Sequence, residues 1–217
     1  MPQTADNRLF LGGICVLMDC GSRGRPPFDT IIDIIGSGVK WVQLRDKKTS
    51  RLAVYKAARL LRTLTRANSI TFIINDYADI AAAVDADGVH LGQDDLPLLE
   101  ARKILGNDKL IGISTHNIEQ AIKAQAEGAD YIGFGPIYST ATKKAGQPKG
   151  PQSITEIRSH IHIPIAAIGG INEGHITELI EAGADAIAVA SAIMDAEDVS
   201  KAADAFVSKL MALRGTG

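Results

Sequence analysis

The chain has 217 residues, of which 46% are hydrophobic and 22% are charged, and its formal net charge is −2 at pH 7. These values are ordinary for one globular domain, and they give no basic field of the kind that nucleic-acid partners attract. The two cysteines, Cys15 and Cys20, are too few for a disulfide framework, and their spacing does not suggest zinc. Because the first residues lack a secretory pattern and no apolar run could cross a membrane, we expect a cytoplasmic protein with no membrane partner.

One pattern recurs from residue 14 onward: a short apolar run, a polar or glycine-containing turn, and then an amphipathic stretch. Strands are predicted at 14–19, 40–44, 70–75, 88–91, 110–114, 131–135, 163–168 and 186–190. Helices are predicted between them, at 51–66, 97–105, 118–127, 151–160, 174–181 and 195–213.

Strands that alternate with helices predict a parallel sheet, because parallel strands need crossover helices. We therefore expect an α/β fold, a single-domain (β/α)8 TIM barrel that occupies residues 14–217, with an open doubly wound sheet as the alternative. Residues 1–13 are predicted to be an arm or an extra helix at the barrel floor.

Acidic side chains follow two consecutive strands of this predicted barrel. The run TFIIND ends in Asn75 and Asp76, and the next strand is followed by Asp94 and Asp95. Consecutive parallel strands are neighbours, so Asp76 should meet one of these two carboxylates at the same rim. Two such charges about 4 Å apart repel by roughly 4 kcal/mol at an effective dielectric near 20, which favours an oxygen-ligated Mg²⁺ between them. The alternative is that both are ordinary helix caps.

Groups suited to binding anions follow the other strands. Gln43 and Arg45 point the same way at the end of the second strand, with Lys47 just beyond, and Arg and Lys together suit phosphate oxygens. Ser114 and His116 follow the fifth strand. The loop after the sixth strand is long and carries Thr140, Thr142, Lys143 and Lys144. Loops of this length are usually functional, and this one is predicted to close on anionic oxygens.

A second anion site is predicted at the last two strands. The seventh ends in Gly169 and Gly170, and the eighth ends in Ala190 and Ser191. Barrels commonly bind a phosphate at these two loops through backbone N–H groups. The first site suits a diphosphate and the second a phosphate monoester. Because the rim lacks an acid/base pair, the residues favour a reaction in which diphosphate departs over a sugar-phosphate isomerisation.

Seven motifs, in order over about 150 residues, together resemble the thiamine phosphate synthase family: VQLRDK at 42–47, IIND at 73–76, HLGQDD at 90–95, IGIST at 111–115, GPIYSTATK at 135–143, AIGGIN at 167–172 and AVASAI at 188–193. The resemblance implies a TIM-barrel transferase of thiamine biosynthesis. Such an enzyme uses Mg²⁺ to join hydroxymethylpyrimidine diphosphate to a thiazole phosphate, or to its carboxylated form, and releases diphosphate. The pyrimidine methylene is expected to ionise before the new bond forms.

The resemblance also implies roles for individual residues. Asp76 and Asp95 would ligate the metal, and Lys143, Arg45, Lys47 and Ser114 would act on the leaving diphosphate. The substrates would be bound by Gln43, Arg45, Lys47, Asn75, Ser114, Thr140, Ala141, Thr142, Lys143, Gly170, Ala190 and Ser191. Three positions depart from the family pattern: the first strand, ICVLMDC, lacks its Tyr-x-x-Thr-Asp; Ser139 replaces a usual proline; and Ala145 replaces a frequent acidic residue.

Two rival functions fit the same barrel. One is a thiazole tautomerase, an isomerase that tends to lose the paired acids and the Thr-x-Thr-Lys loop, both of which this chain retains. The other is a non-catalytic sensor of phosphate ligands, which would be expected to lose Lys143 or one Asp. The expected partners are small molecules, and a homo-oligomer stays open as an alternative to a monomer.

Overall fold

A computed structural model of the chain describes residues 12–21, 24–140 and 146–215. Eight parallel strands close into a barrel in which each strand pairs with the next and β8 pairs with β1. The strands are β1 Gly13–Met18, β2 Trp41–Leu44, β3 Thr71–Asn75, β4 Gly88–Leu91, β5 Leu110–Thr115, β6 Tyr131–Phe134, β7 Ile165–Ile168 and β8 Ala186–Val189. The predicted TIM barrel is confirmed.

Helices follow the strands and cover the outside of the barrel. They are α1 Pro27–Gly36, α2 Arg51–Ala67, α3 Ala78–Ala83, α4 Leu98–Leu105, α5 Ile118–Ala126, α6 Gln152–Arg158, α7 Ile176–Glu181, α8 Ser191–Met194 and α9 Val199–Arg214. A 3-10 turn, Glu173–His175, precedes α7. Helices α1, α3 and α8 were not among the helices whose bounds were predicted. Helix α9 begins later than predicted, because the Asp198 side chain accepts a hydrogen bond from the Lys201 backbone N–H and caps it there.

Alternation along the strands separates two buried layers. In β3, Phe72 and Ile74 belong to the large core between strands and helices, whereas Ile73 belongs to a second cluster inside the barrel. The interior cluster also contains Trp41 and Tyr131, whose rings meet edge to face with centroids 5.0 Å apart. The same alternation sends alternate side chains at the strand ends into the mouth of the barrel, so it positions the candidate site.

Three aspartates anchor the opposite end of the barrel in the same way. Asp87, Asp130 and Asp185 directly precede β4, β6 and β8. Each accepts a backbone N–H from the start of the preceding strand and an arginine from the helix before that strand. The repeated Gly-Ala-Asp sequence supplies two of the three. These aspartates have a structural role, because catalysis in such barrels takes place at the other rim.

The N-terminal prediction lies largely beyond the described residues. Residues 1–11 are outside them, so an arm or extra helix there stays a prediction, and β1 begins at Gly13. Cys15 is buried in β1 and Cys20 is half-buried after it, and both are free thiols.

Candidate active site

The two acidic strand ends meet at the rim. Asp76 follows β3 with a φ of 67°, a left-handed conformation that aspartate tolerates better than most residues, and its carboxylate lies next to that of Asp95. The Lys47 ammonium lies 3.2 Å from the Asp76 carboxylate. Burial and then the neighbouring Asp95 carboxylate raise the pKa of Asp76, while Lys47 lowers it in part. The structure thus brings Asp76, Asp95 and Lys47 together. Lys47 offsets only part of the cost of holding two negative charges at this position.

The loop that carries Arg45 and Lys47 is held by Asp46. This carboxylate is buried, and it accepts backbone N–H groups from Cys20 at 3.1 Å, Lys48 at 2.7 Å and Thr49 at 2.9 Å. Burial alone would raise the pKa of Asp46, but these donors outweigh it and hold the pKa below its ordinary value. Asp46 therefore stays ionised and fixes the two cations on either side of it at the rim.

A buried histidine lies in the wall beneath this rim. His90 in β4 has one ring nitrogen 3.0 Å from the Tyr131 hydroxyl and the other 2.9 Å from the Ser114 hydroxyl. The Gln43 side chain lines the same small cavity as His90, Ser114 and Tyr131. Asn75 is the register partner of His90 in β3. Ser114 therefore contacts the imidazole directly, and Asn75 stands beside His90 in the sheet. Gln43 and Asn75 are buried and Ser114 is half-buried.

His90 is neutral at physiological pH. Burial, followed by the positive charge of Arg45, lowers the pKa of His90 to about 4, against a partly compensating effect of Asp95. A neutral imidazole donates from one nitrogen and accepts at the other, so it can orient both hydroxyls at once. Gly133 leaves the space for its ring, since a Cβ there would stand 2.9 Å from Cε1 of His90.

The donor set at the paired acids fits magnesium better than a metal that requires a full protein cage. Among the described residues no group of three or more His, Cys, Asp or Glu side chains could hold a metal. Two carboxylates remain, Asp76 and Asp95. Mg²⁺ is typically bound through one or two carboxylates, with waters and substrate phosphates completing an octahedron.

The second predicted anion site lies across the barrel mouth. Gly170 follows β7 and Ala190 follows β8, and the two strands pair at Ile168 and Ala188, so their loops are neighbours. Gly170, Ala190 and Ser191 are exposed. The backbone of Gly170 packs so closely on the chain after β6 that a Cβ would lie 2.3 Å from the Ser139 carbonyl oxygen. Thr140 is half-buried beside this loop, whereas Ala141, Thr142, Lys143 and Lys144 lie outside the described residues.

Four residues that the sequence predictions left out belong to the site. They are Asp46, which holds the cationic loop; His90, which contacts the Ser114 hydroxyl; Tyr131, which contacts His90; and Gln93, whose amide donates to the Ser114 carbonyl at 2.6 Å. A histidine inside a four-residue buried strand was the available signal for His90. His116, by contrast, is exposed and bonds the Gly135 carbonyl oxygen.

Comparisons with known proteins show which family the chain resembles. The sequence model of the family described as thiamine monophosphate synthase matches residues 14–193. The chain is 48% identical over 188 residues to the thiamine-phosphate synthase of Shouchella clausii, covering 86% of this chain and 90% of the relative. It is 41% identical over 203 residues to that of Methanosarcina mazei, covering 93% and 84%.

A solved structure is similar over nearly the whole fold. The thiamine phosphate pyrophosphorylase of Pyrococcus furiosus superposes with a TM-score of 0.85 at 35% identity, covering 93% of this chain and 96% of that one. In the described part of the chain, no helix has both the length and the apolar character to span a membrane. On the family match and these identities, the chain belongs to the thiamine monophosphate synthase family of transferases.

Proposed function

We propose that the chain condenses 4-amino-5-hydroxymethyl-2-methylpyrimidine diphosphate with 4-methyl-5-(2-hydroxyethyl)thiazole phosphate, or with its carboxylated form, which also loses carbon dioxide, and releases diphosphate. The observation that carries the proposal is the meeting of Asp76, Asp95 and Lys47 at one side of the barrel mouth, opposite the loops after β7 and β8. Two anion sites of different kinds match the two substrates. Both substrates are charged small molecules, which supports a cytoplasmic location and requires neither nucleic acid nor membrane.

The diphosphate is assigned to the acidic and basic side of the mouth. Arg45 and Lys47 neutralise the charge on its oxygens. The Ser114 hydroxyl, which His90 orients, donates a hydrogen bond to the diphosphate. Gln43 and Asn75 contact the pyrimidine end. Lys143 is assigned to the same diphosphate on the sequence motif alone. Preorganised donors of this kind stabilise the charge that grows on the leaving group.

Magnesium would be held by Asp76 and Asp95. When bound, the ion supplies Lewis-acid stabilisation of the departing diphosphate, which is worth several kcal/mol in comparable sites. Its positive charge would also stabilise the ionised form of Asp76, which burial and the neighbouring Asp95 disfavour. The affinity for Mg²⁺ should therefore fall as Asp76 becomes protonated.

The chemical step needs little acid/base help from the protein. The bond from the pyrimidine methylene carbon to the diphosphate oxygen breaks, and its electron pair leaves with the diphosphate. The ring nitrogen of the thiazole then donates its lone pair to that carbon, and it carries no proton to be removed. A neutral His90 held between two hydroxyls suits this chemistry, because it positions groups without having to exchange a proton.

The thiazole phosphate is assigned to the second anion site. Exposed backbone near Gly170 and the hydroxyl of Ser191, with Ala190, would contact its phosphate, and Thr140 to Thr142 would close the site from the loop after β6. This assignment puts the thiazole phosphate on the side of the mouth opposite the diphosphate.

The test is a product assay. The pure protein should convert the two substrates to thiamine phosphate and diphosphate in equal amounts when Mg²⁺ is present. A protein that turned over neither substrate, or that isomerised the carboxylated thiazole without forming a carbon–nitrogen bond, would contradict the proposal.

A further inference from the structure

The chain just after β6 is fixed to the helical layer by Tyr138. Its ring stacks face to face on His175, with centroids 3.8 Å apart and planes 17° from parallel. Its hydroxyl donates to the Glu178 carboxylate in α7. Burial, followed by Glu178, raises the pKa of Tyr138, so the hydroxyl keeps its proton and remains a donor.

The same residue is bonded to the loop after β7. The Tyr138 backbone N–H donates to the Gly169 carbonyl at 2.9 Å, and the Ile137 N–H donates to Ile168 at 3.0 Å. A Cβ on Gly170 would lie 2.8 Å from the Tyr138 carbonyl carbon and 2.9 Å from its Cβ. Tyr138 therefore forms one wall of the position that Gly170 occupies.

His175 extends this contact to the other end of the loop. Its Nδ1 accepts the Asn172 N–H at 3.2 Å, while the Asn172 side chain accepts the Gly174 N–H at 2.9 Å. Since Nδ1 is an acceptor, the ring proton of the neutral imidazole is on Nε2. The loop from Gly169 to Asn172 is thus bonded at its start to the Tyr138 backbone and at its end to His175. The stacking of the Tyr138 and His175 rings connects these two attachment points.

We infer that Tyr138 and His175 are positioning residues that hold the loop after β7 in the conformation that binds a phosphate monoester. Neither residue touches the reacting atoms. The inference rests on the proposed function, because it deepens the assignment of the thiazole phosphate to this loop. Removing the stack should weaken thiazole phosphate binding and leave the diphosphate side of the mouth intact.

The experiment measures the Kd of each substrate separately by calorimetry. Tyr138→Ala and His175→Ala should each raise the Kd of the thiazole phosphate about tenfold and change that of the pyrimidine diphosphate by less than about twofold. Tyr138→Phe, which keeps the stack, should stay within about threefold of the wild type. Glu181→Ala, an exposed change at the end of the same helix, is the matched control and should change neither Kd.

A double-mutant cycle separates positioning from general damage. If the stack is what acts, Tyr138→Ala combined with His175→Ala should raise the Kd no further than the larger single effect. Additive effects, unchanged affinity in both single variants, or equal loss for both substrates would overturn the inference. Those results would leave the proposed function standing as long as the wild type forms thiamine phosphate; a wild type that does not bind thiazole phosphate would overturn both.

Discussion

His90 lies between the two hydroxyls of Tyr131 and Ser114, and only 8% of its surface is exposed. Charging it would place a buried cation beside Arg45, which is why its pKa falls to about 4 from an ordinary value of 6.5. Its neutrality keeps both hydroxyl contacts available across the physiological range. At the scale of single residues, the site depends on groups held in one protonation state rather than on groups that exchange protons.

This depression of the pKa predicts a pH-dependent stability. Between pH 6.5 and 4 the unfolded chain takes up a proton at His90 and the folded chain does not, so the free energy of unfolding falls as pH is lowered through this window. The loss due to His90 should be roughly 2–3 kcal/mol between about pH 7.5 and about pH 4.5. Urea unfolding of the wild type and of His90→Gln at both pH values measures it. Equal losses in the two proteins would contradict the assignment.

The first strand contributes a small side chain, Cys15, to the interior of the barrel. Cys15 is the register partner of Trp41 in β2, and both belong to the interior cluster. The indole therefore fills space next to Cys15 and contacts Tyr131, the residue that orients His90.

The elements of the barrel are joined at the floor by the three aspartate–arginine anchors. The Arg62–Asp87 pair is bidentate, with both N···O distances 2.9 Å, and its side chains are only 12% and 13% exposed. The Arg66–Asp85 pair one turn further along α2 is 58% and 60% exposed. Burial distinguishes the two pairs, since a solvated ion pair gains little while a broken buried pair leaves a charge without a partner.

Arg62→Ala should lower the free energy of unfolding by about 3 kcal/mol or more, because it strands the buried Asp87 carboxylate. Arg66→Ala, the matched control on the same helix, should cost less than about 1 kcal/mol. Urea unfolding measures both, and kcat below the unfolding transition should be unchanged in each. If Arg62→Ala lowered the free energy of unfolding no more than Arg66→Ala does, the stabilising role of the buried Arg62–Asp87 pair would be contradicted.

The loop after β7 gives a second prediction at this scale. Gly170 has a φ of 66° and no room for a Cβ, whereas Gly128 has a φ of 89° and open space around it. Gly128→Ala should therefore cost only backbone strain, about 1–2 kcal/mol of stability, with normal kinetics. Gly170→Ala should in addition displace the Ser139 carbonyl and raise the KM for thiazole phosphate by about tenfold or more. Indistinguishable kinetics in the two variants would contradict the packing argument.

For the molecule as a whole, alternation and turn residues were enough to predict the barrel, because every strand is a short apolar run bounded by polar residues. Helix α3 was not given bounds because six residues are too few to show a helical period. Helix α1 was not given bounds although Asp29 and Asp33 lie on the face opposite its buried isoleucines. The acidic residues that follow the strands, such as Asp76, were predicted because the carboxyl ends of parallel strands lie at one rim. Tyr138 and His175 were not, because their contact joins elements that the sequence separates by 37 positions, and no local pattern encodes that pairing.

The central claim is that Asp76 and Asp95 hold the magnesium that helps diphosphate to leave. The most direct measurement is the rate of thiamine phosphate formation as a function of Mg²⁺ concentration in Asp95→Asn and in Asp94→Asn, two neutralisations at adjacent positions. We predict that Asp95→Asn lowers kcat about a hundredfold or more and requires about tenfold more Mg²⁺. Asp94→Asn, at an exposed position, should stay within about threefold of the wild type. Wild-type Mg²⁺ dependence in Asp95→Asn, or full wild-type activity with EDTA present, would contradict the account.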